Sequence, residues 1–477
     1  MTNALQTGVI RLQEATQSIR VRMRNPQKVR GVEAWLLVVA WAIAGGAIMM
    51  TQLGALGAID ATVLYLAGGL GLLTLAVHIV LRFVAREADP FLLPIVTVLN
   101  GLGIAQIYSI DIANGHEGWA ADSIRQVAWT ALAIVAAIIV LVVIRNHRVL
   151  TRYRYLSMFA AIGLILLPMV PGVGSTINGA NVWISIGTFS FQPGEIAKIF
   201  LAIFFAGYLM TARESLSVAG KRILGLRLPR MRDLGPILIV WLLCMAVLVV
   251  QGDLGTGLLY FGLFTVMIYV ATGRREWIII GMVLVVLAVG VMFTLAQTHL
   301  SEAAGLGLGR ASDRIDIWLN PFDQELFEQE YGGSGQIVRG LFGMAHGGMF
   351  GTGLGLGRPA ITPQAADDFI FASLGEELGL VGVFAILALF FILVTRGLRI
   401  GFRGPDDFSK LLAVGLAFVI AIQVFIVVGG VTRVIPMTGL TLPFMASGGS
   451  SLLSNWIIIA LLLRLSDSIR KTQEVDA

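Results

Sequence analysis

Four carboxylates crowd one short stretch, WLNPFDQELFEQEYGG at 318–333: Asp323, Glu325, Glu328 and Glu330. Three other places put ionisable groups inside or at the edge of apolar runs. FQPGEIAKIF carries Glu195 and Lys198 three residues apart, so they share one face of a helix that Pro193 can open. VVQGDLGTG places Asp253 where two apolar runs meet, with glycines that let the chain turn sharply. DDFIFASLGEELGLVG sets Asp368 ahead of a helix holding the adjacent acids Glu376 and Glu377, only one of which can face the same cavity as Asp368. Carboxylates and ammonium groups in such settings serve proton transfer or the binding of charge. Each also has a structural reading: a solvated loop, a helix-start acid with a snorkelling lysine, a hairpin cap, an interfacial acid pair. These residues bound the chemistry to a polar cavity opening beside an acidic, glycine-rich loop, and leave the reaction open.

The elements that must hold them are set by composition. Of the 477 residues, 57% are hydrophobic and only 13% charged, where a soluble domain carries about 25% charged residues. The chain is therefore an all-α polytopic membrane protein. Runs long enough to cross a hydrocarbon core lie near 34–53, 62–84, 91–110, 125–145, 155–171, 196–211, 235–251, 253–272, 276–298, 370–395, 410–432 and 451–465, which predicts about twelve transmembrane helices. Basic residues collect in alternate loops: Arg82 and Arg86, then Arg145 to Arg154, Arg213 to Arg232, Arg274 and Arg275, and Arg396 to Lys410. The loops between are nearly free of them, so the positive-inside rule puts both termini in the cytoplasm. The formal charge of +5 thus belongs to cytoplasmic loops of a membrane protein and not to a nucleic-acid partner. One outer segment, 299–369, is far longer than an ordinary connection. Its Gly, Trp, Phe and Tyr content predicts that it folds back on the bundle.

Several motifs are set aside on physical grounds. GTGLGLG follows no predicted strand and is no nucleotide loop. The five histidines have no zinc-ligand spacing, and ASGGSSLLSNW lacks the Gly-x-Ser-x-Gly elbow. The single cysteine, Cys244, sits in an apolar run without a partner for a disulfide. The first thirty residues have no apolar stretch with a cleavage site and are expected to be cytoplasmic.

Taken in order, NGANVWISIGTFSFQPGEIAKIF, QGDLGTG, HGGMFGTGLGLG with DDFIFASLGEELGLVG, and IPMTGLTLPFMASGGSSLLSNW resemble the SEDS family (shape, elongation, division and sporulation; the FtsW/RodA family) over about residues 91–467. The resemblance implies a peptidoglycan glycosyltransferase that polymerises lipid II, works with a class B penicillin-binding transpeptidase and releases undecaprenyl pyrophosphate. The implied organisation is a cytoplasmic extension at 1–30, two additional helices within 31–88, a ten-helix core at 89–467 that includes the outer loop 299–369, and a cytoplasmic tail at 468–477. An elongation role is preferred over a division role. The site is the bacterial cell membrane.

The family places an essential aspartate after an Asn-Pro or Asp-Pro pair in the outer loop. Here that pair is Asn320-Pro321 and the matching acid is Asp323, one residue closer to the proline than the pattern. Glu325 and Glu328 stay open as alternatives. Arg314 matches a family arginine, Arg310 stands as its companion at altered spacing, and Gln336 matches a glutamine after a lengthened segment. Ala366-Asp367 and Ala446-Ser447 depart from His-Thr and Ser-Tyr. By the resemblance, Asp323 is the base for the acceptor hydroxyl. Arg314, Arg310 and Lys198 meet the leaving pyrophosphate, with Glu195, Asp253, Asp368 and Glu376 shaping the cavity. A divalent cation, Mg or Mn, is compatible with that chemistry. Rival readings are a flippase for the lipid-linked precursor and a scaffold for a partner synthase.

Overall fold

The computed structural model describes residues 26–177, 180–186, 189–217, 222–223, 226–227, 231–296, 308–328 and 333–475. Fifteen helices are used below: α1 (Pro26–Leu56), α2 (Ala61–Val84), α3 (Leu92–Asn114), α4 (Asp122–Val143), α5 (Arg154–Leu166), α6 (Pro193–Ser217), α7 (Met231–Gln251), α8 (Leu254–Thr272), α9 (Glu276–Ala296), α10 (Leu308–Leu319), α11 (Gln324–Glu328), α12 (Gly335–Gly347), α13 (Ile370–Phe402), α14 (Asp407–Val431) and α15 (Gly449–Val475). Among the described residues ten segments are long and apolar enough to cross a membrane. Helices α7 and α9, 21 residues each, fall on the remaining two expected runs at 235–251 and 276–298. The chain is a multi-pass membrane protein.

Local chemistry sets the helix ends. Asp60 and Asp406 accept the N–H groups of Thr62 and Ser409 at 2.7 and 3.0 Å and so cap α2 and α14. Gly115 closes α3 in the left-handed region. Burial sorts the helices into layers: the span of α3 is 94% buried, whereas the 147–169 span is 17% buried. Helices α3, α6, α14 and α15 therefore form the centre. Trp35, Leu64, Phe83 and Phe391 stand exposed on the perimeter, as lipid-facing residues must. Cys244 is buried, as its apolar run implied.

The central helices touch backbone to backbone. A methyl on Gly103 would sit 2.5 Å from the Met445 Cα. Gly103→Ala is therefore expected to cost about 1–3 kcal/mol as an overpacking change. Thermal melting in detergent checks this; an unchanged melting temperature would show that the 442–446 turn can retreat.

Two features depart from a helix-only reading. Residues 174–191 form a three-stranded antiparallel sheet of β1 (Gly174–Ile177), β2 (Ala180–Ile186) and β3 (Phe189–Phe191), in register Ser175 with Trp183 and Ile184 with Phe191. Its signals were present in the sequence, as alternating side chains and an Asn178-Gly179 pair. Helix α13 also breaks at Gly379 (φ 68°, ψ −174°) inside the run expected at 370–395. The outer loop does fold back: α12 packs along α13, so close that a methyl on Gly340 would touch the Phe369 ring at 3.0 Å.

Candidate active site

Lys198 lies one turn into α6 beside Glu195, and both side chains are buried. The Lys198 Nζ donates to Glu195 Oε2 at 2.5 Å and to Gln423 Oε1 at 2.9 Å. Ser454 Oγ donates to the same Glu195 oxygen at 3.0 Å. Gln423 in turn donates to the Thr441 carbonyl at 2.9 Å and to Ser451 Oγ at 3.3 Å. A buried ion pair persists only with such surrounding hydrogen bonds. Three helices, α6, α14 and α15, thus meet around one ammonium group.

Asp253 caps α8, its Oδ1 accepting the Thr256 N–H at 3.0 Å, while its Oδ2 accepts from Gln192 Nε2 at 3.4 Å. Gln192 immediately precedes α6, and its N–H donates to Ser450 Oγ at 2.8 Å. Tyr260 donates to the Gly194 carbonyl at 2.6 Å, tying α8 to the same helix start. Arg314, from α10 of the outer loop, reaches back to the Thr438 carbonyl at 3.0 Å. The neighbouring Gly439 (φ 76°) leaves room that a Cβ would take, within 3.6 Å of Asp368 Oδ2 and 3.8 Å of Arg314 Nη2. The fold therefore gathers Glu195, Lys198, Asp253, Arg314 and Asp368 from four separate stretches. Their charges act on one another. Burial raises the Asp253 carboxyl, opposed by hydrogen bonds from Thr256 and by the Arg314 charge, and reinforced by Glu195. Asp368 keeps part of its surface open, yet the protein packed around it pushes its pKa up to about 6, against the pull of Arg314 and with the push of Asp253.

A carboxyl raised in the folded state stabilises the protein below its ordinary pKa and loses that contribution as pH rises through the folded value. The Asp368 share of stability is therefore expected to fade between about pH 4 and 6. Asp368→Asn should flatten the dependence of melting temperature on pH in that window. An equal slope in both proteins would refute it.

The other expected residues sit elsewhere. Asp323 is exposed on the turn before α11, its Oδ1 accepting the N–H groups of Glu325 and Leu326 at 3.0 and 3.3 Å. Glu325 and Glu328 are exposed on α11. The turn is moored by Trp318 Nε1, which donates to the Arg433 carbonyl at 3.1 Å, and by Arg433, which donates to the Trp318 and Leu319 carbonyls at 2.8 and 3.0 Å. Gln336 is half-buried in the first turn of α12. Arg310 lies on α10, with its side chain outside the described residues, as is Glu330. Glu376 is buried between α12 and the 348–358 segment, accepting the Arg358 N–H at 3.1 Å with His346 Nδ1 at 3.4 Å. Glu377 points instead to α3, accepting from Ser109 Oγ at 2.5 Å.

Sequence reading missed Gln423, Ser454 and Gly439. Gln423 carried a usable signal, a lone amide within AFVIAIQVFIVV, since polar groups at membrane depth mark interior sites. It also missed that Asp111, His116 and Asp122 bring ligand atoms within 4.8 Å of one another. Both Asp111 oxygens there accept N–H groups, from Asp122 at 2.9 Å and Ser123 at 2.8 Å, so Asp111 caps the start of α4.

Residues 90–471 match the model of the FtsW/RodA/SpoVE family, described as a cell cycle protein. The peptidoglycan glycosyltransferase RodA of Mycobacterium tuberculosis is 44% identical over 409 residues, covering 84% of this chain and 83% of that protein. Stage V sporulation protein E of Bacillus subtilis is 34% identical, covering 80% and 98%. A solved peptidoglycan synthase complex that coordinates polymerization and crosslinking contains a chain similar to this one, with a TM-score of 0.63, 25% identity, and coverage of 80% and 98%. With sequence order, bundle and site chemistry in agreement, the chain belongs to the FtsW/RodA/SpoVE family, the SEDS proteins.

Proposed function

We propose that this chain is a peptidoglycan glycosyltransferase of the elongation type, polymerising lipid II into glycan strands at the membrane surface. The observation that carries it is the cluster of buried Glu195 and Lys198 with half-buried Asp253, Arg314 and Asp368 at the loop-bearing end of an apolar bundle. Fixed charge at that place suits a substrate with a polar, anionic head and lipid tails that stay between helices. RodA relatives at 44–45% identity against about 30% for FtsW relatives favour elongation.

In this reading the acceptor's 4-hydroxyl loses its proton to Asp323 as it attacks the donor's anomeric carbon. The bond to the lipid pyrophosphate breaks on the opposite face, so configuration inverts with no covalent enzyme intermediate. Arg314, with Arg310 and Lys198, meets the charge that develops on the departing pyrophosphate. Arg suits forked contacts with phosphate oxygens. Asp253 and Asp368 supply hard oxygen donors that fit a divalent cation, Mg or Mn, next to Arg314. Such an ion would neutralise pyrophosphate charge. Gln336 and Glu376 hold the loop side of the cavity.

The loop-bearing end faces outward and both termini lie in the cytoplasm of a bacterial cell, as the basic loops require. A class B penicillin-binding transpeptidase is the partner that would crosslink the product. The test is incubation of the purified full chain, alone and with that transpeptidase, with lipid II. Glycan strands on a gel are expected. No strands in either case, together with movement of lipid II across vesicles, would replace this reading with transport.

A further inference from the structure

The glycine-rich GTGLGLG, which binds no nucleotide in the reading above, is wedged between two helices. On one side Gly353 N–H donates to the Glu377 carbonyl at 3.0 Å and Gly355 N–H to the Glu377 carboxylate at 2.8 Å. Arg358 N–H donates to Glu376 Oε1 at 3.1 Å. On the other side the segment lies on the end of α1. A methyl on Gly54 would overlap the Leu354 carbonyl, and one on Gly355 (φ 76°) would overlap the Thr51 carbonyl and reach 3.0 Å from Ala55 N. Leu354, half-buried, packs against an apolar cluster that includes Ala44, Ala47, Ile48, Leu66, Leu70 and Tyr108, contributed by α1, α2 and α3.

The same segment splices the break in α13. At Gly379 the helix loses its own hydrogen bonds, and neighbouring backbone supplies replacements. Leu380 and Val381 donate to the Gly348 and Met349 carbonyls at 2.9 and 3.1 Å, while Thr352 donates to the Glu376 carbonyl at 3.0 Å. The outer half of α13, which follows directly from Asp368, is therefore aimed by segment 348–358 and not by continuity with its inner half. Helix α1 backs that segment, and it is held at its other end as well. There Arg30 is paired with Glu33 and donates to the Ala88 carbonyl, and Glu33 Oε1 meets His78 Nδ1 at 2.6 Å.

Helices α1 and α2 lie before residue 90, outside the span matched by the family model. We propose that they are a positioning element for glycosyl transfer: α1, through Gly54 and the apolar cluster under Leu354, seats segment 348–358 and thereby sets the direction of the outer half of α13 and the place of Asp368. This rests on the function proposed above, and Gly54 and Leu354 are positioning residues that touch no substrate.

The test uses the full chain in lipid nanodiscs, with Leu354→Ala, Gly54→Val and, as a control in the same helix pair, Trp41→Phe, which loses only the donor to Thr74 Oγ1 at 2.9 Å. Hydrogen exchange is followed at 348–358 and 370–378, and kcat and KM for lipid II are measured. In the two test variants, exchange at Gly353, Gly355 and Arg358 should accelerate, and kcat should fall about 10- to 100-fold, as small misplacements do, with KM nearly unchanged. Trp41→Phe should match wild type in both. Protection that survives in Leu354→Ala, or a wild-type kcat once protection is lost, overturns the proposal. Should Gly54→Val fail to fold, Leu354→Ala decides alone. A wild type that exchanges as described but makes no glycan overturns only the function reading, because the exchange arm still reports whether α1 seats the segment.

Discussion

Asp323→Asn is expected to lower lipid II polymerisation about 10²- to 10⁴-fold, the usual contribution of a positioned general base, while leaving the melting temperature unchanged. The choice of asparagine matters. Asp323 caps α11 by accepting two backbone N–H groups, and an asparagine oxygen can keep accepting them. What it cannot do is take a proton from the acceptor hydroxyl. Asp323→Ala removes cap and base together and should add a local loss of about 0.5–2 kcal/mol. Comparing the two separates the roles. Full polymerisation by Asp323→Asn would strike Asp323 from the mechanism, and Glu325→Gln and Glu328→Gln would be examined next on the same five-residue helix. The exposed position of Asp323 suits the assignment chemically, because a base on a surface turn can meet a glycan entering from the water side.

Lys198→Ala should abolish polymerisation and also destabilise the protein by about 3–5 kcal/mol, since it strands Glu195 as an unpaired charge in the buried centre of three helices. That result alone would not distinguish a structural pair from a functional one. The double variant Glu195→Gln with Lys198→Met does so. Replacing both partners with neutral groups of similar size is often close to neutral for stability, and Gln423 and Ser454 retain their other hydrogen bonds. The double variant is expected to melt near wild type yet remain inactive, because the ammonium that the proposed mechanism sets against the pyrophosphate is gone. Wild-type polymerisation by that protein would make the pair a packing device and remove Lys198 from the site.

The two experiments probe different layers of the molecule. Asp323 belongs to the outer loop, whose helices are short and moored by a few contacts such as Trp318 with Arg433. Lys198 belongs to the buried centre of the bundle. Arg314 links them, standing on α10 of the loop while bonding to Thr438 beside Asp368.

The sequence by itself determined that this chain lives in a membrane, where its helices run and to which family it belongs. Those properties follow from local quantities: an apolar run of sufficient length, a basic loop, an ordered set of short motifs. It also marked Glu195, Lys198, Asp253, Arg314 and Asp368 one at a time, because charge in apolar surroundings is costly wherever it occurs. Only the tertiary structure decided that these five act on one another, since the interactions join residues far apart in the chain, as between Asp253 and Asp368. It alone decided that Glu376 turns to α12 and Glu377 to α3. It also decided that α13 breaks at a glycine within an unbroken apolar run, and that GTGLGLG is the spacer which backs that break. A glycine in sequence says that the backbone is free to approach something; what it approaches is fixed by helix packing, which no local window contains.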